Sequence, residues 1–522
     1  MSEGAQPVAD RAAVGAAPDA DPATPDPPWR RLAPGMLFIE PLRELIKFIP
    51  MLLVLVFAGR AGESGPPWGL IGTAAVIALG ISRWVTTRYR ITPTVVEVRR
   101  GLFQRKHLTV PRDRVRTVDV SAHPLQRALH LVKVRIGTGT SHQRADELAL
   151  DGLPAAAAGP LRAELLHRAH PPQATRTADP DETELAALDP RWIFFAPATL
   201  SGVVTAAFLI GLGWRLINEA SVDPATFDLT RRTISYLRST PVWVDVLQGA
   251  AGVILVVTLL SLGGYVVSFW GYRLVRHARG SLQVSRGLLT TRATSIEERR
   301  LHGVERWEPL LLRAVGGARL TAIATGLRER GSDRGNALLV PPAPIGTVVR
   351  VEGEVLRSSG PHGAGSVDLT MHGPAARRRR YTRALGVVAV VAAVLLALIR
   401  WAHWPVAFAV AVPVALVLAT ALAQDRYRNL GHAIVGRPAA GDARLVIRTG
   451  SLVRKRVVLA VPGVIGVTLR QSFFQRRNGL ISLTVTTAAG AQHYVVPDLP
   501  EPMASDLLPT LLRQSVPLLA RR

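Results

Sequence analysis

Six long apolar stretches, grouped as three close pairs, constrain the fold of this 522-residue chain more than any other feature. They run over about residues 42–59, 68–85, 192–217, 242–270, 384–399 and 404–423. Each approaches the ~20 residues that a helix needs to cross ~30 Å of hydrocarbon. One such stretch could be the core helix of a soluble domain; six in three pairs could not. Trp68, Trp84, Trp192, Trp214, Trp243, Trp270, Trp401 and Trp404 flank them, as expected of indole rings that anchor spans at a membrane interface. Within a pair the connections are short, at 60–67, 218–241 and 400–403, whereas about 100 polar residues separate the pairs and as many follow the last. Three helical hairpins therefore put every large polar segment on the same side as the N-terminus.

Charge decides which side that is. With 63 Lys+Arg against 38 Asp+Glu the chain carries +25 at pH 7, yet its mean hydropathy is +0.22. A soluble nucleic-acid binder can be as basic but is rarely so apolar; a membrane protein with basic cytoplasmic parts is both. The segments 86–190, 271–383 and 424–522 hold 50 of the 63 basic residues, whereas the opposite loops hold only Arg60, Arg231, Arg232, Arg238 and Arg400. The positive-inside rule places the polar segments and the N-terminus in the cytoplasm, beneath the inner membrane. A nucleic-acid partner is not expected, because the basic residues are spread through three juxtamembrane segments. The absence of cysteine excludes a disulfide framework, a thiolate zinc site and a cysteine nucleophile. The N-terminal stretch, rich in Ala, Pro and Asp, cannot bury a core and is expected to be disordered.

The three polar segments repeat one another. Each opens on a basic, Tyr-containing exit: Arg88-Tyr89-Arg90, Tyr272-Arg273 and Arg426-Tyr427-Arg428. An alternating apolar strand follows and closes on Gly101, Gly287 or Gly450, where a positive φ suits a tight turn between antiparallel strands. A second, basic strand comes next (102–110, 288–296, 452–461), then a third, clearest in Val115-Arg116-Thr117-Val118-Asp119-Val120. A short amphipathic turn then begins at Pro124, Pro309 or Phe473, which lie 23, 22 and 23 residues after their glycines. Another strand follows each turn, and the first copy ends in a helical pattern at 161–167. Shared order and spacing over ~60 residues make a repeat, and antiparallel strands closing on one helix describe a small sandwich or barrel.

The Tyr-Arg exit, Arg-Gly-Leu-Phe at 100–103, Pro-Arg-x-Arg-Val at 111–115 and Pro-Leu-Gln-Arg at 124–127 resemble the membrane-flanked bacterial pleckstrin-homology (PH) family of the YdbS/YdbT type. The resemblance implies a polytopic α-helical membrane protein, with six transmembrane helices as three hairpins and three cytoplasmic PH-like domains. Each such domain is an antiparallel β-sandwich or barrel capped by a C-terminal helix. The expected order is a disordered tail (1–35), hairpin 1 (42–85), PH-like domain 1 (86–172), a linker (173–190) and hairpin 2 (191–270). PH-like domain 2 (271–357), a linker (358–382), hairpin 3 (383–423) and PH-like domain 3 (424–522) complete it. The second copy departs from the first, with Arg299-Arg300-Leu301-His302-Gly303-Val304 in place of the Pro-Arg step and an extra Pro341-Pro342-Ala343-Pro344 stretch. The third carries what reads as an insertion at 431–443.

No phosphate-binding loop, His-Glu-x-x-His helix or Gly-x-Ser-x-Gly elbow is present, and the family supplies no catalytic residues. The expectation is therefore no enzyme activity, no cofactor and no metal. The basic strands are the candidate contacts. Arg99, Arg100, Arg105 and Lys106 cluster around the first glycine turn with Arg112, Arg114 and Arg116 nearby, and Arg454, Lys455 and Arg456 hold the corresponding place in the third copy. Beneath a bilayer such residues meet the anionic headgroups of the inner leaflet at roughly 1 kcal/mol each, or they bind an unidentified membrane or cytoplasmic protein. Arg377-Arg378-Arg379-Arg380 suits headgroup contact and simple topology equally well. Gly249, Gly252, Gly263 and Gly264 either let helices pack closely or are ordinary glycine content. The function expected is a scaffold or envelope-associated accessory factor. The competing class is a transporter or exporter subunit, which the uncharged span centres at 203–212, 253–260, 387–398 and 407–418 disfavour.

Overall fold

A computed structural model describes residues 28–37, 78–101, 106–137, 148–166, 182–219, 241–325, 338–357, 367–437 and 441–512, apart from scattered single positions. Hairpin 1 lies almost wholly outside the described residues. The first unit comprises β1 (Arg30–Arg31), β2 (Arg88–Ile91), β3 (Val95–Arg100), β4 (Lys106–Pro111), β5 (Thr117–Ala122), the helical turn α1 (Pro124–Ala128), β6 (Leu131–Gly137), β7 (Leu148–Pro154) and helix α2 (Ala155–Leu166). The second opens with β8 (Glu182–Ala187) and the apolar helices α3 (Ser201–Glu219) and α4 (Val242–Phe269). It continues as β9 (Arg273–His277), β10 (Ser281–Arg286), β11 (Thr291–Glu297), β12 (Leu301–Pro309), α5 (Leu310–Ala314), β13 (Gly317–Ala324), β14 (Leu338–Pro344) and α6 (Ile345–Val355). The third consists of α7 (Gly373–Trp401), α8 (Ala411–Arg428), β15 (Gly431–Val435), β16 (Arg444–Thr449), β17 (Val453–Ala460), β18 (Val464–Arg470), α9 (Phe473–Arg476), β19 (Leu480–Thr487), β20 (His493–Pro500) and α10 (Glu501–Leu512).

Each unit is two three-stranded antiparallel layers closed by a helix. Alternating strand residues and the closing helix fill the core of each: Val96, Val98, Val134, Ile136 and Leu150 in the first; Leu274, Leu282, Val304, Leu320 and, from α6, Val351 in the second, which also takes in Val446 and Val458 of the third; Leu445, Leu459, Leu483, Val496 and, from α10, Leu507 in the third. The glycine turns form as the spacing predicts. Gly101, Gly287 and Gly450 have φ of 112°, 110° and 103°, and a Cβ at Gly287 would lie 2.1 Å from the Thr290 carbonyl oxygen. The proline stretch of the second unit falls on β14, an edge strand, where a missing N–H costs no ladder bond. The apparent insertion of the third unit contains its first strand, β15, and the exits of the first two are strands β2 and β9. These runs of four or five residues are too short for period two to be legible.

The sheets do not respect the boundaries between units. β5 pairs antiparallel with β11, and β12 with β17, giving sheets ordered β7-β6-β5-β11-β10-β9-β8 and β14-β13-β12-β17-β16-β15. The second seam is ionic. Arg306 donates to Glu308 at 3.0 Å and to Glu352 at 2.9 Å, and Arg454 of the third unit also pairs with Glu308. Lys455 pairs with Glu305 at 3.4 Å and lies 3.6 Å from the Trp307 ring centroid. At the first seam Thr294 donates to Asp119 at 3.0 Å.

The segments expected as tail and linkers are also partly folded. β1 pairs with β2, β8 with β9, and Thr370 bridges to His432 of β15. The lead-in to each hairpin thus pairs with the first strand after it, clamping the hairpin's base. Trp29, within the tail, stacks between Arg90 and Arg99, whose guanidinium carbons lie 5.0 and 4.1 Å from its ring centroid.

Among the described residues, three helices are long and apolar enough to cross a membrane: Val242–Phe269, Gly373–Trp401 and Val406–Arg428. Their apolar side chains, Ile254, Leu255, Val390, Leu396 and Val417 among them, are exposed. In α3 the described apolar segment is Ser201–Leu212. The stretch expected to start at Trp192 therefore begins nine residues later as helix, after two 3₁₀ turns. Trp192 is not at an interface; it is buried, with its ring centroid 6.0 Å from that of Tyr272. An Asp189 cap on the Arg191 N–H turns the chain there and sends the indole into the second core. α3 meets α4 at Gly202, whose N–H donates to Ser261 Oγ at 3.0 Å and whose Cβ would clash with the Val257 carbonyl at 2.1 Å. A Cβ at Gly249, Gly252, Gly263 or Gly264 would meet nothing within 4 Å, so those glycines belong to the ordinary content of the helix.

Because Glu308 is 1% exposed and faces two cations, Glu308→Gln should weaken the second seam by about 3 kcal/mol, the usual cost of leaving buried charge uncompensated. Faster hydrogen exchange confined to β12 and β17 would register it. Glu305→Gln, facing the more exposed Lys455, should do much less.

Candidate functional site

The helical turns and the glycine turns of the second and third units gather at the ends of the long helices. The Gly287 N–H donates to the Trp270 carbonyl at 2.8 Å, and that of Leu288 to the Val267 carbonyl at 2.9 Å. The tip of the β10–β11 turn therefore lies against the last turn of α4. Arg127 of α1 reaches the same tip, donating to the Leu288 carbonyl at 2.8 Å. The Leu310 N–H of α5 donates to the Leu452 carbonyl at the next glycine turn, 2.7 Å away, and Arg313 pairs with Asp425 of α8 at 3.2 Å. Together these turns make a rim at the base of the hairpins.

The rim has a repeated chemistry. Counting from the residue that caps each turn, His123, Pro309 or Ser472, the fourth position is arginine in all three: Arg127, Arg313 and Arg476. The third, Gln126, Leu312 or Gln475, is buried. The second, Leu125, Leu311 or Phe474, is exposed, with Phe474 at 68%. Leu289, Leu310, Leu452 and Phe473 add further exposed apolar side chains. A single turn cannot bury two consecutive apolar residues beside a buried third, so the sequence forces them outward. In α1 and α9 the buried glutamine also accepts from the cap N–H, at 3.1 and 2.9 Å, making a capping box; α5 has Leu312 there instead.

The base of the third hairpin is held on one carboxylate. Asp498 is buried and pairs with Arg379 and Arg380, each at 2.9 Å, while Gln475 donates to it at 2.8 Å. Beside it His372 and His432 face each other, Nε2 to Nδ1 at 3.0 Å, and His372 Nδ1 lies 3.0 Å from the Pro497 carbonyl oxygen. Burial, reinforced by the facing His432 and opposed by the Pro497 carbonyl, pushes the His372 pKa down from 6.5 to about 4. Burial lowers that of His432 as well.

The residues singled out from the sequence divide. Arg99 is occupied by Trp29; Lys106 is exposed at the start of β4. Arg100 stands opposite Lys106 in the ladder, and Arg112 donates to the Thr92 carbonyl at 3.4 Å. Arg105, Arg114 and Arg116 lie outside the described residues. Arg454, Lys455 and Arg456 share the strand position of the first cluster, but they face β12 of the neighbouring unit. Of the arginine run, Arg379 and Arg380 grip Asp498, and Arg377 lies near the Tyr381 and Tyr427 rings at 5.8 and 5.9 Å. The rim's apolar residues escaped the sequence reading; the doubled Leu-Leu and Phe-Phe beside arginine were the available signal.

A family model of the bacterial PH domain matches residues 40–169 and 373–515. The chain belongs to the bacterial PH-domain family. Both matched segments take in a hairpin region together with the unit after it, so the bacterial PH match covers the first and third units. These are the two that share the capping-box glutamine. No curated protein and no solved structure matches the chain.

The histidine pair sets a pH dependence. The undocked segment takes up a proton near 6.5 and the docked one only near 4. Docking of the third hairpin's base should therefore be full above the higher value and weaken as pH falls through that window. The loss from His372 is on the order of 3 kcal/mol. Thermal unfolding followed across that window should show the slope in wild type and a flatter one in His372→Asn, which keeps a donor for the Pro497 carbonyl.

Proposed function

We propose that this bacterial PH-domain protein is a non-enzymatic scaffold of the cell membrane. In this reading it spans the bilayer six times as three hairpins. The N-terminus and three PH-like domains are cytoplasmic, the second unit, at 271–357, being counted among them. The rim rests on the inner leaflet, and the ends of the sandwiches away from it receive partner proteins.

The observation that carries the reading is the backbone bonding of the Gly287 turn to the last turn of α4. Where α4 leaves the hydrocarbon, the turn tip is at headgroup depth. Exposed leucines and phenylalanines enter the interface there, and the exposed Arg127 and Arg476 meet anionic phosphates at about 1 kcal/mol each, whereas Arg313 is held by Asp425. The basic strands named from the sequence then contribute less to lipid contact than the turns do, since the third-copy cluster is engaged at the seam.

The chain has no cysteine, so single-cysteine labelling reads depth directly. A fluorophore at Leu289→Cys or Phe473→Cys, in bilayers containing brominated lipid, should be strongly quenched. One at His493→Cys, at the far end of β20, should not. Equal quenching at all three sites, or none at the rim, would overturn the reading.

A further inference from the structure

The two seams obey one rule of register. At the first, Ala122, the residue before the cap of α1, stands opposite Thr291, the fourth residue after Gly287. At the second, Glu308, the residue before the cap of α5, stands opposite Arg454, the fourth after Gly450. Each seam joins the fourth strand of one unit to the third strand of the next. Three units in a row make two seams and leave one unused half of each kind.

Those halves are β18 and β4. Among the described residues β18 pairs only with β19 and β4 only with β3. β18 is seven residues, Val-Ile-Gly-Val-Thr-Leu-Arg, with no proline and no acid, and Ile465 and Leu469 are exposed at 62% and 43%. An open edge of that kind is a template for another strand. We propose that β18 of one copy of this chain pairs with β4 of a second copy, continuing the array head to tail. The register rule sets Arg470 opposite Lys106, Leu469 opposite His107, Thr468 opposite Leu108 and Val467 opposite Thr109. The occupant is a second copy because both existing seams are built from this chain's own strands in this register. Hairpin and unit alternate along the chain, so a copy added by the same step keeps its hairpins facing the same bilayer. The interface is heterologous, and such interfaces close into rings or extend as rows.

One contact opposes the pairing. At the position of Arg470 the internal seams carry Ser121 and Trp307, facing Arg292 and Lys455. Arg470 instead brings a cation against Lys106. Like charges directly opposite weaken a strand pair by about fivefold, ~1 kcal/mol, and salt screens them. The assembly therefore strengthens with ionic strength, the reverse of headgroup binding.

The test is oxidative crosslinking of the full chain in native membranes, using the exposed pair His107→Cys/Leu469→Cys. The expected result is a series of oligomers in the double variant, absent from either single variant, and more abundant at high salt. Arg470→Trp added to the pair should strengthen association about fivefold. Ser121→Cys/Arg292→Cys across the first seam reports folding and oxidation through an internal disulfide. If that control forms and the test pair gives only monomer, the edges are closed by their charges and the proposal fails. Crosslinking of a single variant would also overturn it, by revealing a two-fold pairing of like edges.

Discussion

Open strand edges are the constraint on which this architecture rests. A three-stranded sheet exposes a row of unpaired N–H and C=O groups on each side, and every unit is made of two such sheets. The chain covers these rows with its own neighbours: β11 covers β5, β17 covers β12, and β1, β8 and the Thr370 bridge cover the first strands of their units. Satisfying the backbone and joining the parts are therefore one event. A unit cut away from its neighbour would lose more than a contact surface, because it would regain an edge.

The basic residues have three separate employments that composition could not distinguish. Arg454, Lys455 and Arg456 fix a seam; Arg379 and Arg380 fix a hairpin to Asp498; Arg127, Arg313 and Arg476 sit on the rim. At the second seam Arg306 stands directly opposite Arg456, a pairing tolerable only because Glu308 and Glu352 lie alongside. A slip of one residue would carry Arg306 and Glu308 together to the other face of the sheet, parting them from Glu352 and from Arg454. Buried ion pairs add little net stability, but here they penalise the wrong register.

Local order was legible and long-range pairing was not. The positive-φ glycines at 101, 287 and 450, the strands flanking them and the short helical turns could be read because each is set by residues a few positions apart. The seams join Asp119 to Thr294 and Arg454 to Glu308, separations of 175 and 146 residues, and no periodicity encodes such a match. The clamps escaped for the opposite reason: Arg30–Arg31 is two residues long, below any pattern. Trp192 misled because an indole beside an apolar run reads equally well as membrane anchor and as core, and only the Asp189 turn decides between them. The basic clusters were found, but their partners, Trp29 and Glu308, lie in other segments of the chain.

Seams, clamps and helix contacts together couple the units to one another through the hairpins. α8 enters the third unit directly, yet its Asp425 pairs with Arg313 of the second. α4 is set into the second unit by Tyr265, whose hydroxyl donates to the Pro342 carbonyl at 2.9 Å, and the tip of that unit's glycine turn is reached by Arg127 of the first. The second unit therefore cannot tilt against α4 or α8 without breaking bonds to its neighbours as well. The layers are joined edge to edge at both seams and rooted in paired helices. A surface held in that way presents its far side at a fixed height and spacing, which is the property a scaffold needs and an isolated tethered domain lacks.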